Sequence, residues 1–278
     1  MGKQLNMNIP QNQKKVDTVV DRLTLLDDDL MSRVFDQNIE ATELILRIIL
    51  EKEIKVISVK SQDVLKNHEI GGRNITLDIY AKDADGEEMD IEVQGNAEGA
   101  HVRRARYHSS MLDARMLKER QKFKELKDSY VIFIYRYDKF QKGLPIYRID
   151  RHVNETNELF KDGSHIIYVN GNYKGDDEIG RLMEDFRESD SEKMNYSILA
   201  RSVEHFKEGK GGREKMSQIV EEYAKEYAKE YAKECMQVEK VETVSTLMKN
   251  MKWTLNQALD ALGIQGEERI NISEQLEK

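Results

Sequence analysis

The sequence predicts an α/β fold with a helical extension after it. Short β-branched or alternating runs, which are typical of strands, lie between stretches whose apolar residues recur at helical spacing. The chain has 278 residues, of which 39% are hydrophobic and 35% charged. This length allows one large domain with an appendage. The mean hydropathy of -0.71 indicates that part of the chain lies outside the core.

Composition excludes several classes of protein. No apolar run approaches the length of a membrane span, and the polar start MGKQLNMNIPQNQKK lacks the apolar segment of a secretory signal. Cys235 is the one cysteine, which excludes a disulfide scaffold and a cysteine-based zinc site. We therefore expect a cytoplasmic protein without a membrane partner.

The predicted elements suggest three segments. Residues 1–20 form a flexible polar start, residues 21–212 the main domain and residues 213–278 a helical tail after the break Gly209-Lys210-Gly211-Gly212. We expect strands over residues 54–60, 74–81, 89–94, 130–136, 145–151 and 165–171, and helices over residues 27–51, 99–127, 176–188 and 191–208.

The tail carries the repeat EEYAKEYAKEYAKE over residues 221–234. Its period of four overshoots the helical 3.6, so the stripe of Tyr223, Tyr227 and Tyr231 drifts by about 40° per repeat. The repeat fits either a solvated single helix or a helix that self-associates into a homodimer. Residues 241–263 predict a small helical hairpin, with Thr254 as a helix cap.

Residues 76–94, TLDIYAKDADGEEMDIEVQ, hold the densest chemical signal. Asp85-Gly86 predicts a hairpin turn, and counting back from it places Asp78 opposite Glu92 or Val93. Glu92 and Gln94 lie two apart and share a face of their strand. Two carboxylates and an amide on one sheet face suit Mg²⁺, although the same alternation also fits a solvated face.

The neighbouring polar residues are expected to be ordinary. Asp83, Asp85, Glu87, Glu88 and Asp90 are interpreted as turn and surface charges. His101 and His108 are interpreted as surface or helix-capping groups rather than metal ligands.

Charge is distributed unevenly in this acidic chain. Residues 101–127 hold nine Lys and Arg against three acids, a net +6, so the remaining residues carry -14 of the total of -8. Arg103, Arg104 and Arg106 begin this stretch and are candidates for contacts to a DNA backbone. A solvated amphipathic helix explains the same charges.

The hairpin LDIYAKDADGEEMDIEVQ, an Asp followed by Glu-x-Gln, resembles the core motif of the bacterial PD-(D/E)XK nuclease family transposases, the recombination-promoting nuclease group. Further blocks resemble the same family over about residues 20–215: RARYHSSMLDARML, YVIFIYRYDKF, LPIYRIDRHVNETNELFKDGSHIIYVNG and MNYSILARSVEHFK.

This resemblance implies a restriction-endonuclease-like α-β-β-β-α-β core and Mg²⁺-dependent cleavage of DNA in transposition or recombination, with Mn²⁺ able to replace Mg²⁺. Asp78 and Glu92 would be the metal ligands. Gln94 stands where the broader superfamily has Lys; it can orient a water but supplies no charge, so cleavage is expected to be slow. A supporting acid on the first helix would be Glu40 or Glu43.

The alternative hypothesis is a catalytically degenerate relative that binds DNA or a protein, with the helical tail as its interaction module. The acidic net charge and Gln94 motivate it.

Overall fold

The structure is a computed structural model that describes residues 9–67, 69–95 and 99–276; within its helices, the side chains of residues 9–13, 226–227, 230–235 and 267 are not described. The chain divides into two compact units, Met1–Gln218 and Ile219–Lys278. The first contains the mixed sheet and the second is helical, which confirms the predicted fold class. The predicted domain boundary at residue 212 lies within the first unit and stays a prediction.

A helix occupies part of the start that the sequence predicted to be flexible. Helix α1 spans Ile9–Arg22. Its Val16 and Val20 are buried. These two residues lie one helical turn apart, and their apolar side chains attach the helix to the core. The expectation of a flexible start is therefore wrong for this part, and residues 1–8 lie outside the described residues.

Two helices, α2 (Asp28–Phe35) and α3 (Ile39–Leu50), replace the single helix predicted over residues 27–51. Asn38 makes the break between them. Its amide nitrogen donates to Val34 O at 2.8 Å, and its amide oxygen accepts from Ala41 N at 3.1 Å. One side chain thus satisfies a carbonyl at the end of α2 and an amide at the start of α3.

Three antiparallel strands follow: β1 (Val56–Leu65), β2 (Ile75–Asp83) and β3 (Glu88–Gln94). The turn between β2 and β3 is the predicted one. Gly86 has φ +87°, a conformation that a side chain would strain. The Asp83 carboxylate closes the turn by accepting hydrogen bonds from the amides of Asp85 and Glu87 at 3.0 and 2.9 Å.

Helix α4 (Val102–Met116) connects β3 to the parallel strand β4 (Ser129–Tyr135). It ends earlier than the predicted range of residues 99–127. Strand β4 is almost wholly buried, as its continuous apolar run predicted, because it lies inside the sheet.

Four further strands follow in the part of the chain that the structure describes: β5 (Ile146–Ile149), β6 (His152–Val153), β7 (Glu158–Leu159) and β8 (Ser164–Asn170). The six-stranded sheet has the order β1-β2-β3-β4-β8-β5, while β6 and β7 form a separate hairpin. Strand β8 is parallel to β4 and antiparallel to β5. The connected elements α3-β1-β2-β3-α4-β4 give the expected α-β-β-β-α-β core.

Helices pack on the sheet through apolar faces. Helix α4 contacts β3, β4 and β8, and its Ala105 and Leu112 join a core that includes Phe133 and Tyr168. Helix α5 (Glu178–Arg187) packs on α3, and helix α6 (Ser197–Lys207) packs on α2 and α3. The core therefore holds α4 against the sheet, where it contacts β3.

The second unit has its own apolar core. Its elements are the end of α7 (Lys210–Met251), α8 (Leu255–Ala261) and α9 (Gly266–Leu276). The core residues are Val244, Ala258, Leu259, Ile264 and Ile272. Thr254 caps α8 as predicted, through a reciprocal pair of hydrogen bonds with Gln257.

The tyrosine stripe of the tail is described only in part. Tyr223 is exposed, while the side chains of Tyr227 and Tyr231 lie outside the described residues. Among the helices that the structure describes, none is long and apolar enough to cross a membrane.

Candidate active site

The ladder between β2 and β3 ends beside two carboxylates. Ile79 and Ile91 are the last paired residues on this side. Beyond them, Glu92 Oε1 accepts a hydrogen bond from the Asp78 amide at 3.1 Å, and Asp78 Oδ2 accepts one from the Val93 amide at 3.0 Å. Each carboxylate is thus held by the backbone of the opposite strand, which brings the two predicted acids together.

Gln94 joins the same group. Its Nε2 lies 3.4 Å from Asp78 Oδ2 and 3.3 Å from Glu92 Oε2, so the amide bridges the two carboxylates. An amide donates hydrogen bonds without carrying charge. The structure therefore brings Asp78, Glu92 and Gln94 into one contact network, to which Gln94 adds no charge.

Burial shapes the electrostatics of the pair. Removal from water raises the pKa of Asp78 to about 8, and repulsion from Glu92 and Asp28 adds to this rise. Burial likewise raises the pKa of Glu92 to about 8, with a further contribution from Asp90. Two acids that resist ionisation so close together form a site where a cation is favoured.

Helix α4 places an arginine and a histidine beside the carboxylates. Arg104 Nη2 lies 2.6 Å from Glu92 Oε2, and Arg104 Nε donates to His108 Nε2 at 3.2 Å. His108 Nδ1 lies 2.7 Å from Asp90 Oδ2. Because a guanidinium only donates, Nε2 of His108 accepts and Nδ1 carries the proton that is donated to Asp90.

The neutral state of His108 agrees with this arrangement. Burial lowers its pKa; Glu92 opposes the change, while Arg104 and Arg73 reinforce it. The hydrogen bonds of Asp90, His108 and Arg104 therefore form a chain that ends at Glu92. This chain fixes the guanidinium of Arg104 against the Glu92 carboxylate.

Several expectations for the neighbouring residues are wrong. Asp90 is fully buried and His108 is 1% exposed, although both were expected at the surface. Asp83 and Glu88 are buried as well. Asp90 shares the alternating face of Glu92 and Gln94, and His108 lies one helical turn after Arg104; these spacings were the signals in the sequence.

Two other expectations agree with the structure. Asp85 is exposed in the hairpin turn. His101 caps α4, since its Nδ1 accepts from the Arg103 amide at 3.1 Å.

A second group of side chains with metal-ligand chemistry overlaps the first. The ligand atoms of Asp90, Glu92 and His108 all lie within 4.8 Å of one another, and Asp78 is not part of this group. Asp90 Oδ1 is buried, and the described residues offer it no hydrogen-bond partner. Glu92 is the residue that belongs to both groups.

Asp78 borders an open cleft of about 820 Å³, whereas Glu92 lies buried behind it and does not line the cleft. Asp78 and Gln94 line it together with Arg73, Arg103 and Arg104. Arg103 is exposed, as a residue that contacts a DNA backbone must be. Arg104 instead forms an ion pair with Glu92. Arg106 does not line this cleft, so the structure does not bring it to the carboxylates.

The two acids expected to support the site, Glu40 and Glu43, do not lie beside Asp78. Glu40 is exposed, and Glu43 Oε1 accepts from the Val56 amide at 2.8 Å. Both line a different cavity from the one that Asp78 lines. Besides Glu92, the acid whose charge raises the pKa of Asp78 is Asp28, in the first turn of α2, and burial raises the pKa of Asp28 itself.

Comparison with known proteins supports the resemblance in the sequence. A family model described as PD-(D/E)XK nuclease family transposase matches residues 35–173, half of the chain. The match runs from the end of α2 past β8 and includes Asp78, Glu92, Gln94 and α4. No curated protein and no solved structure matches the chain in these comparisons.

Proposed function

The chain belongs to the PD-(D/E)XK nuclease family transposases, and from this premise we propose that it is a metal-dependent DNA endonuclease acting in transposition or recombination. The observation that carries the proposal is the convergence of Asp78, Glu92 and Gln94 beside a cleft lined by arginines. The proposed reaction is hydrolysis of a phosphodiester bond. The cytoplasmic location expected from the sequence stays a prediction.

The residues present suit a hard divalent cation. Asp78 and Glu92 offer carboxylate oxygens, the ligands that Mg²⁺ and Mn²⁺ prefer, and their raised pKa values mark a place where negative charge needs compensation. We assign the metal to these two acids. When bound, the cation supplies an activated water and neutralises charge that develops on the phosphate.

The chain's own side chains have separate roles in this proposal. Gln94 orients the attacking water through its amide oxygen, since its amide nitrogen lies within hydrogen-bond distance of both carboxylates and keeps the side chain beside them. Arg73 and Arg103 hold the DNA backbone along the cleft. Arg104 fixes the position of Glu92 through the contact at 2.6 Å.

The alternative is a relative that binds DNA without cutting it. One observation favours it: Arg104 already pairs with Glu92, so part of the charge that would attract a metal is compensated by the protein itself. The absence of a Lys at the position of Gln94 points the same way. Such a protein would hold DNA in the cleft in the presence of EDTA.

Incubation of an end-labelled duplex with Mg²⁺, Mn²⁺ or EDTA distinguishes the two functions. We expect cleavage with either metal and none in EDTA, and we expect Glu92→Gln to abolish it. Asp85→Asn is the matched control, because Asp85 lies in the turn of the same hairpin and is exposed. Gel-shift binding without cleavage in all conditions would favour the non-cutting relative.

A further inference from the structure

A loop that follows β4 lies at the same end of the sheet as the carboxylates. Tyr135, the last residue of β4, pairs in register with Gln94, which places the two about 5 Å apart across the strands. Arg136 N donates to Gln94 O at 2.9 Å. A side-chain carbon at Gly95 would lie 3.8 Å from Arg136 Nε, so this guanidinium lies next to the residue that follows Gln94.

The loop presents aromatic rings to solvent. Tyr137 is 54% exposed, and its ring packs edge-on against Tyr135 with the centroids 5.6 Å apart. Tyr135 and Gln94 are paired residues of adjacent strands and therefore share a sheet face. The exposed face of Tyr137 is thus directed outward on the side of the sheet that carries Glu92 and Gln94. Phe140 is also exposed.

Basic residues alternate with these rings. Residues 136–144, RYDKFQKGL, carry three cations and one acid, a net +2 in a chain whose total is -8. Arg136 is 38% exposed and pairs with the equally exposed Asp27 at 3.6 Å, and Lys139 Nζ lies 5.9 Å from the centroid of the Tyr135 ring. Aromatic faces interleaved with cations are the surface on which single-stranded nucleic acids stack their bases.

The loop is held in shape by one carboxylate. Asp138 Oδ1 accepts hydrogen bonds from the Phe140 and Gln141 amides and from the Tyr147 hydroxyl, at 3.1, 2.9 and 2.7 Å. Its Oδ2 accepts from the Gly143 amide at 2.7 Å. Because these bonds hold the backbone that follows Tyr137, they reduce the cost of ordering the loop on binding.

We propose that Tyr137 is a stacking platform for an unpaired base of the substrate, so that the protein selects DNA with a single-stranded segment beside the bond to be cut. The inference rests on the proposed function for the nature of the ligand. Arg136 and Lys139 contact the phosphates that flank the stacked base. A blunt duplex has no unpaired base that could stack on Tyr137, so Tyr137 does not contribute to the affinity for it.

Binding of oligonucleotides in EDTA tests this proposal without requiring cleavage. The probes are a single strand and a blunt duplex, the single strand also carrying 2-aminopurine, whose fluorescence falls on stacking. Tyr137→Ala is expected to weaken single-strand binding by about 10-fold, to remove the quenching and to leave duplex binding unchanged. Tyr137→Trp is expected to retain both the affinity and the quenching.

Phe123→Ala is the matched control. Phe123 is 87% exposed and precedes β4 at its other end, where Ser129 pairs with Glu88 rather than with a site residue. Equal losses in Phe123→Ala and Tyr137→Ala would overturn the proposal, as would unchanged single-strand binding in Tyr137→Ala. The same single strand made of RNA is a further probe. If it binds as tightly as the DNA strand and loses the same affinity in Tyr137→Ala, the assignment to DNA is overturned.

The outcome is separable from that of the proposed function. A protein that stacks the base through Tyr137 and never cuts supports the platform and contradicts the nuclease. A protein that cuts with metal and is indifferent to Tyr137 supports the nuclease and contradicts the platform.

Discussion

Glu92 is the residue on which the contacts of the site converge. It accepts from the backbone of β2, pairs with Arg104 and lies near both Asp78 and the buried His108. These contacts change the free energy of the ionised form of Glu92, and burial has the largest effect on the pKa of Glu92. The site therefore carries an electrostatic cost that a bound cation would relieve.

This cost predicts how the stability of the metal-free protein depends on pH. Asp78 and Glu92 have raised pKa values, so between about pH 4 and pH 8 the folded protein binds protons that the unfolded chain has released. The free energy of unfolding must then fall as pH rises through this window. Asp78→Asn removes one of the two groups and should reduce the fall by about 1–2 kcal/mol.

Urea denaturation in EDTA at about pH 6 and about pH 8.5 measures the effect for the wild type and Asp78→Asn. Asp85→Asn controls for the loss of a charge, since Asp85 is exposed. The same change in the free energy of unfolding for all three proteins would show that Asp78 is not a proton-binding group of the folded state.

Individual residues of the site were predictable where a short-range signal existed. The Asp85-Gly86 turn fixed the register that places Asp78 against Glu92, and Gln94 followed from strand alternation. Asp90 and His108 were missed because their burial depends on α4 packing against β3. Asp28 was missed because it acts on Asp78 from α2, which is distant in sequence from the hairpin.

The strands predicted from the sequence matched the structure better than the predicted helices did. The continuous apolar run of β4 and the alternation of β2 and β3 are local signals. The break between α2 and α3 was missed because it depends on hydrogen bonds of the Asn38 side chain, which periodicity does not report. Helix α1 was missed because two buried valines suffice to attach a largely polar helix.

Helix α5 contains a glycine that close packing requires. A side-chain carbon at Gly180 would lie 1.7 Å from Gly175 O, whereas one at Gly211, near the start of α7, would meet nothing within 4 Å. Gly180→Ala should therefore lower the free energy of unfolding by about 2 kcal/mol or more. Gly211→Ala should raise it by up to about 1 kcal/mol through helix propensity.

Circular dichroism during urea denaturation checks the pair of substitutions. Both make the same chemical change in a helix, so the opposite signs isolate the steric contact. A Gly180→Ala protein as stable as the wild type would mean that the approach of Gly175 to α5 is not tight in solution.

At the scale of the whole molecule, the proposed chemistry lies in the first unit. The start of α7 belongs to that unit: Arg213 pairs with Asp21 at 2.8 Å, and Met216 is buried. A chain that ends at Gln218 keeps both contacts and should cleave DNA like the full chain. A chain that ends at Lys207 loses both, and we expect a lower melting temperature.

Light scattering on the full chain and on the chain ending at Gln218 tests the tail. A tyrosine repeat that self-associates gives a dimer for the full chain and a monomer for the shortened one, whereas a solvated single helix gives monomers for both. A monomeric full chain would contradict self-association through the tail. Loss of cleavage on shortening, with the fold intact by circular dichroism, would show that the second unit takes part in the reaction.

Nicking of supercoiled plasmid with Mg²⁺, with Mn²⁺ and with EDTA tests whether Asp78 belongs to a metal-dependent nuclease site, in a comparison of wild type, Asp78→Asn and Asp85→Asn. Asp78 and Asp85 belong to one hairpin, yet only Asp78 lines the cleft. We predict metal-dependent nicking that Asp85→Asn retains and Asp78→Asn loses. Nicking by Asp78→Asn at the wild-type rate, or no nicking by the wild type with either metal, would contradict the account.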